Sequence, residues 1–302
     1  MPIADSTRSV LVVNANPLLN LVHTGTYKQG TINRVASMAM HAEGKGVNVA
    51  RILARLGHRV TLTGFAGGHS GAWLRDLILA EGIKDAFLCN DAPIRVGFMA
   101  SNPQADHPTT VLPAGFSVTS SECEALANRV RERLDNMSLL IISGSVPHSN
   151  ANDLYRILLE HSQQLGIPCW LDAHGPALRQ ALGGNVPPDL AKPNLSEYGQ
   201  SDNWDQVAEL HITDGEQPVE VRSHQEGLWR ITPPSIRQVN PVGCGDCYLA
   251  GLAHGWLQGL PFVERLKLAS AAGAANALRP DVAMIDWGGI ECLLDRVVVE
   301  PA

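Results

Sequence analysis

Short apolar runs alternate with segments of helical spacing along almost the whole chain, and this alternation limits the fold more than any other feature. Residues 10–13 (Val-Leu-Val-Val) form one such run, closed by Asn14-Ala-Asn-Pro17. Residues 46–56 then set Val47, Val49, Ala50, Leu53, Ala54 and Leu56 at helical spacing, ending at Gly57. The pattern continues with a strand over 60–65, a helix over 72–80 and a helix over 121–134 with Ser120 or Ser121 as its cap. A strand over 139–142, a helix over 151–165, and strands over 168–171 and 211–213 follow. Helices over 246–257 and 261–278 close the series. Repeated strand–helix units predict an α/β chain, with a mostly parallel central sheet covered by helices on both faces. With 302 residues, 45% of them hydrophobic, the chain can build such a core.

Ligands of such sheets sit at the carboxyl ends of the strands. A site is therefore expected among the loops after residues 13, 65, 142, 171 and 213 and the loop leading to residue 246. Residues 21–42 break the alternation: Thr, Val, Tyr and Ile are interspersed with polar residues and punctuated by Gly25 and Gly30. The same character returns at 95–99 and 109–112. These pieces read as one small sheet built from separate insertions.

Charge and composition exclude several classes of function. The net charge is −7 and the lysines and arginines are scattered, which argues against a nucleic-acid surface. No apolar run approaches the length of a membrane span, so no membrane partner is expected. The polar start, residues 1–8, carries no signal-peptide core. Six cysteines are spread along the chain without the density of a disulfide framework, which points to a reducing, cytoplasmic location.

The chemistry concentrates in Asn240-Pro-Val-Gly-Cys-Gly-Asp-Cys-Tyr-Leu-Ala-Gly-Leu252. Gly243-Cys244-Gly245 can expose successive backbone N–H groups at the start of a helix, which makes an anion site. Asp246 beside it can take a proton from a nucleophile. An anion hole plus a base is the minimum equipment for phosphoryl transfer to a hydroxyl. Cys244 and Cys247 also form C-x-x-C, which fits a redox pair or half a zinc site. A turn that opens a helix without chemistry is a third reading.

The motifs taken together resemble the PfkB (ribokinase-like) family of carbohydrate kinases, and within it the branch of 1-phosphofructokinase and tagatose-6-phosphate kinase. The resemblance rests on Ala42-Glu-Gly44-Lys-Gly46-Val-Asn48-Val-Ala50, with Gly57 and Gly67 downstream. It rests further on Ser143-Gly-Ser-Val-Pro147, Leu171-Asp172, Lys192-Pro-Asn194-Leu-Ser-Glu197 and the Gly243–Asp246 signature, in that order. Gly30-Thr-Ile-Asn33-Arg34 looks like a lid strand of that branch.

The resemblance implies one ribokinase-like kinase domain over 1–302, Rossmann-like, with a small β-sheet lid inserted at about 20–42 and 94–112. It implies ATP and Mg²⁺, a sugar or sugar-phosphate acceptor and a homodimer formed through the lid. Asp246 would be the base, with Gly243, Cys244 and Gly245 as the anion hole. Asn20, Gly44, Asn48 and Ser145 would face the sugar, and Lys45 and Arg95 would meet a phosphate on it. Lys192, Thr213 and Gly215 would lie along the nucleotide. Asn194 and Glu197 would organise Mg²⁺, with Glu197 acting through water.

The chain departs from the family pattern in places. Asn20 stands where an aspartate is usual, and Glu43-Gly44 replaces Gly-Gly. Thr109-Thr110 occupies a position where a phosphate-binding arginine is found, and Pro218 replaces the second glycine of the nucleotide loop. The segment between Glu197 and Thr213 is short, and Cys244 and Cys247 stand where alanines are common. The first three departures weaken the case for a phosphorylated acceptor. The changed nucleotide loop leaves a kinase-like sugar- or nucleotide-binding protein as the competing reading.

Overall fold

The computed structural model describes residues 8–102 and 107–302. Residues 1–7, which hold most of the polar start, and 103–106 within the second insertion lie outside the described residues. The first half of the chain contains β1 (Ser9–Val13), β2 (Leu18–Thr24), β3 (Ala39–Glu43), α1 (Lys45–Arg55), β4 (Arg59–Thr63), β5 (Phe65–Gly67) and α2 (Gly68–Ala80). Then come β6 (Lys84–Asp85), β7 (Leu88–Pro93), β8 (Arg95–Ser101), β9 (Thr109–Val111), α3 (Ser120–Leu134) and β10 (Leu139–Ser143). The second half contains α4 (Leu154–Leu165), β11 (Cys169–Asp172), α5 (Gly175–Leu182), β12 (Leu190–Ala191), α6 (Leu195–Tyr198) and β13 (Glu209–Ile212). It ends with β14 (Val219–Ser223), β15 (Gly227–Thr232), α7 (Cys244–Leu257), α8 (Phe262–Ala277), α9 (Trp287–Glu291) and β16 (Val298–Pro301).

Among the described residues the central sheet runs β16-β15-β14-β13-β12-β11-β10-β1-β4-β6. From β13 to β6 every pairing is parallel. The strands that read as continuous apolar runs are those buried on both faces: Val10–Val13 and Leu139–Ile142 are fully buried. Helices α1, α7 and α8 pack together, as do α3, α4 and α5. α7 is buried almost all round, as expected for a helix with no polar face. It approaches α8 closely because Gly251 has no side chain; a Cβ there would lie 2.8 Å from that of Ala272.

β1 lies between β10 and β4, the strands that follow it on opposite sides, so the strand order reverses there. Such a reversal opens a crevice at the carboxyl ends of the strands. Over it stands a second sheet of four strands, in the order β3-β2-β8-β9. It is made from the two segments read as insertions.

Two expectations need correction. Residues 30–34 form no strand; they belong to an irregular, exposed connection between β2 and β3. The cap of α3 is Thr119, whose side chain accepts from the Glu122 N–H while Glu122 bonds back to Thr119 N. That reciprocal box needs a glutamate three residues on; Thr119 has Glu122 there, Ser120 has Cys123, and both serines already lie inside the helix. The sheet also has an antiparallel edge, β14, β15 and β16, that the periodicity did not reveal.

Candidate active site

A cleft of about 790 Å³ runs from the small sheet to the start of α7. Its floor is set by two helix starts. Asn14, directly after β1, accepts the Val47 N–H through Oδ1 at 3.1 Å and so ties α1 to the strand end. Gly44 sits above it at φ 132, where a Cβ would lie 2.5 Å from that same Oδ1. Only glycine fits both the backbone and the space. The loop into α7 is pinned in a similar way: Asn240 Oδ1 accepts from Val242 N, and Asn276 Nδ2 donates to the Val242 carbonyl. Gly243 then caps the helix in the left-handed region, at φ 84.

Asp246, in the first turn of α7, faces the cleft and is buried. Asn48 Nδ2 donates to its Oδ2 at 2.8 Å. Burial, and then the charge of Asp172, lift its pKa to about 7, against the pull of Lys45, Asn48 and Lys192. Asp172, at the end of β11, behaves in the opposite way. Burial opposes its charge, but the ammonium groups of Lys192 at 3.6 Å and Lys45 at 3.0 Å hold its pKa below the usual carboxylate range. Two carboxylates are thus driven apart: one stays charged and one titrates near neutrality, the pattern that separates structural from proton-transferring acids.

Lys45 also bonds Glu197 Oε1 at 2.7 Å. Two of its three donors therefore go to Asp172 and Glu197, rather than to a phosphate on the acceptor. Glu197 is no surface carboxylate: it is buried, and its Oε2 accepts the Asn194 N–H while Asn194 Oδ1 accepts the Glu197 N–H. Asn48 has its amide on Asp246 and its Oδ1 on Arg51. Its side chain serves Asp246 before any sugar.

At the small-sheet end, Asn16, Asn20, Glu43, Arg95, Thr110 and Ser145 line the cleft. Asn20 Nδ2 donates to Glu43 Oε2 at 2.8 Å, and Asn16 Nδ2 donates to Ser145 Oγ at 2.9 Å. Arg95 gives Nη2 to the Asn16 carbonyl and Nη1 to that of Pro113, and burial lowers its pKa. At the other end, Thr213 and Gly215 lie at a tight turn, with Gly215 at φ 55. Lys192 faces Gly245, whose Cβ would stand 3.2 Å from Nζ. Val219, Pro233, Ile236, Val242 and Ala277 make an apolar wall there.

Cys244 lines the cleft and Cys247 is buried; both are free thiols. Burial pushes Cys244 up to about 11, and burial with the charge of Asp246 raises Cys247 well above its usual value. The thiolate that redox exchange or zinc binding requires is thereby disfavoured. Gly67 does not line the cleft: it packs on Asn90 and Ala92. Sequence reasoning quoted Asn14, Asn16 and Asp172 but gave them no role, and their positions show only through the bonds they make. The apolar wall carried no signal at all.

Among the described residues no helix is long and apolar enough to cross a membrane. A mostly parallel sheet, a crevice at its strand reversal and a helix start beside a buried acid define a class of α/β enzymes that act on anionic ligands. A family model described as "pfkB family carbohydrate kinase" matches residues 18–285. The chain belongs to that family, and it is a carbohydrate kinase. It is 28% identical to a tagatose-6-phosphate kinase of Staphylococcus epidermidis, over 96% of this chain and 99% of that one. Its fold is also that of a Thermotoga maritima protein described as "Possible 1-phosphofructokinase", with a TM-score of 0.89 at 22% identity over 98% and 100% of the two chains. Phosphofructokinase-2 from Escherichia coli, in complex with potassium, gives a TM-score of 0.85 at 22% identity, over 96% and 99%.

Proposed function

We propose that this kinase transfers the γ-phosphoryl group of ATP to a hydroxyl of a sugar or sugar phosphate, with Asp246 accepting the hydroxyl proton. The observation that carries the reading is the buried Asp246 in the first turn of α7, held by Asn48 and titrating near 7. A base poised near the working pH is what proton abstraction from an alcohol needs. The Gly243–Gly245 backbone would meet the charge on the transferring group. Within it the Cys244 N–H makes a 3.3 Å bond to the Pro241 carbonyl, and the other first-turn N–H groups have no partner in the helix. Lys192, beside Gly245, would add a positive charge.

ATP would lie along Thr213 and Gly215, with its base on the apolar wall of Val219, Ile236 and Val242. The residues also fit Mg²⁺, chiefly as a hydrated ion. Asp172 Oδ2 is buried without a partner, an acceptor that a metal-bound water would satisfy. Asn194 and Glu197, occupied by each other and by Lys45, would act behind that water. When bound, Mg²⁺ supplies neutralisation of the phosphate charge. Gly44, Asn20, Ser145 and Arg95 would hold the acceptor.

The small sheet would act as a lid, and its outer face supports pairing with a second copy. Val96, Phe98 and Val111 share one face, with Val96 and Val111 exposed. Sedimentation of the purified chain tests this; a monomer at micromolar concentration would refute it.

A coupled ADP-release assay over hexoses, pentoses, nucleosides and their phosphates tests the kinase reading. Acceptor-dependent ADP release that falls at least a hundredfold in Asp246→Asn is expected. Undiminished release in that variant would remove Asp246 as the base.

A further inference from the structure

The acceptor end of the cleft presents a skewed set of polar atoms. Asn16 Oδ1 and Asn20 Oδ1 are buried and have no hydrogen-bond partner. The amide nitrogens of the same side chains are already used, by Ser145 Oγ and the Val146 carbonyl for Asn16 and by Glu43 for Asn20. These partners fix the amide orientations. Turning Asn16 over would set its oxygen against a carbonyl that cannot donate, and turning Asn20 over would set its oxygen against a carboxylate. Asn48 is fixed in the same way by Asp246. The unpaired polar atoms of these side chains are therefore acceptors: two buried amide oxygens, beside the Glu43 carboxylate and the Ser145 hydroxyl.

Glu43 also brings a carboxyl group with no ion pair among the described residues; burial raises its pKa, against the pull of Asn20 and of Arg51. It is 8% exposed and lines the cleft. Arg51 is a cation whose field reaches it. The Arg51 guanidinium, however, is committed to Glu81, Asn48 and the Ala42 carbonyl. Arg95 Nε is a buried donor without a partner at this end, while its other nitrogens hold the Asn16 and Pro113 carbonyls. A phosphate dianion offers acceptors and negative charge to this surface. A sugar hydroxyl offers a donor to the amide oxygens and the carboxylate, and an acceptor to Arg95. Buried polar groups left unpaired by the wrong ligand cost discrimination of several powers of ten where the set is complete.

We infer that the acceptor of this kinase is a neutral polyhydroxylated sugar, and that Glu43, with Asn20, selects it against the phosphorylated sugar. The inference rests on the kinase reading above and narrows its acceptor. Glu43 acts here by direct contact with the sugar hydroxyls and by repelling an acceptor phosphate.

The test is a matched panel at pH 8, since alkaline pH favours the ionised form of Glu43. It sets D-fructose, D-tagatose and D-ribose against fructose 6-phosphate, fructose 1-phosphate and tagatose 6-phosphate. The expected result is a kcat/KM for the best neutral sugar at least tenfold above that of the best phosphate. Glu43→Gln, which keeps the shape and removes the charge, and Glu43→Gly should each shrink that ratio at least tenfold. A wild-type preference for any of the phosphates overturns the inference, and so does a ratio unmoved in both variants when circular dichroism shows them folded. If none of these six is turned over, the kinase reading is decided separately by the wider acceptor screen. Calorimetric titration of the same panel without ATP then decides: tighter neutral sugars uphold the selection, and tighter phosphates or no sugar binding overturn it.

Discussion

Asn48 Nδ2 lies 2.8 Å from Asp246 Oδ2, joining the start of the first helix to the first turn of another, the two residues standing 198 apart in sequence. The bond fixes the carboxyl at the mouth of α7 without neutralising it. Burial and the charge of Asp172 do the rest, lifting Asp246 to about 7. A geometry that holds an acid in place and a field that raises its pKa are together what the proposed role of Asp246 as base requires.

The activity should accordingly depend on pH with a single acid limb near 7. Below that value Asp246 carries a proton and cannot accept another, so kcat/KM should fall about tenfold per pH unit. Asp172→Asn removes a charge that raises Asp246 and frees Lys45 and Lys192 to favour its ionised form. The limb should therefore move to lower pH in that variant. A pH series of initial rates on both proteins measures the shift; a limb that stays or moves up refutes the coupling.

Asp246 should also weaken the fold above neutral pH. Its pKa is raised in the folded state, so between about 4 and 7 the native protein binds more protons than the unfolded chain, and stability falls as pH rises through that window. Asp246→Asn carries no such charge, and its Oδ1 can still accept from Asn48. The variant should match wild type near pH 4 and exceed it at pH 8, by on the order of a few kcal/mol for so large a shift in a buried acid. Urea unfolding at the two pH values tests this. Equal stability at pH 8 would mean that the site carries no strain from this charge.

Lys45 should matter to folding as much as to catalysis. It bonds Asp172 at 3.0 Å and Glu197 at 2.7 Å, with its own side chain 28% exposed. Lys45→Met leaves the buried Glu197 without this cation and Asp172 with Lys192 alone. Removal of one member of a buried pair costs about 3–5 kcal/mol, and the partial exposure lowers the expected loss to about 2–3 kcal/mol. Lys45→Met with Asp172→Asn should recover part of that loss. Chemical denaturation of the single and double variants decides it; a single variant as stable as wild type would show that the ion pairs are worth nothing net.

The parts of this molecule legible in the sequence are those governed by local pattern. Val10–Val13 and Leu139–Ile142 announce themselves as buried strands because both faces must be apolar. The helix of residues 45–55 shows its spacing, and Gly44 and Gly243 mark turns that only glycine can make. The antiparallel edge was hidden because Glu220, Arg222 and Arg230 put charge on strands with a solvent face. The roles of Lys45, Asp172 and Glu197 were hidden for a different reason. They are partners across 127 and 152 residues of chain, and no local pattern encodes which distant carboxylate a lysine will meet. Residues 30–34 misled because an alternating composition is not a strand unless a neighbour pairs with it.

Gly243 should tolerate no side chain. It caps α7 at φ 84, and a Cβ there would lie 2.7 Å from Val282 Cγ1. Gly243→Ala must strain the backbone, push Val282, or both, at a cost of about 1–3 kcal/mol. The shift falls on the N–H groups proposed to meet the phosphoryl group, so kcat should drop at least tenfold while acceptor KM changes little. Steady-state kinetics beside thermal unfolding separates the two effects; a variant that is destabilised yet fully active would place the anion hole elsewhere.

Pro218 is the residue that most suggested a damaged nucleotide loop, and the structure gives it an ordinary local reason. The chain leaves β13, turns through Asp214 and Gly215 with the Gln217 N–H bonded to the Asp214 carbonyl at 2.9 Å, and enters β14 at Val219. Pro218 stands just before that strand, where a fixed φ is compatible with extended backbone and limits the freedom of the unfolded chain. Gly215, at the turn itself, keeps the positive φ that the loop requires. Restoring glycine at 218 should therefore bring no gain in nucleotide binding. Pro218→Gly is expected to lose about 0.5–1 kcal/mol of stability through the freer unfolded chain, with the KM for ATP unchanged within twofold. A KM for ATP that falls tenfold in this variant would show that the proline obstructs the nucleotide, and would favour a binding protein with impaired turnover over an efficient kinase.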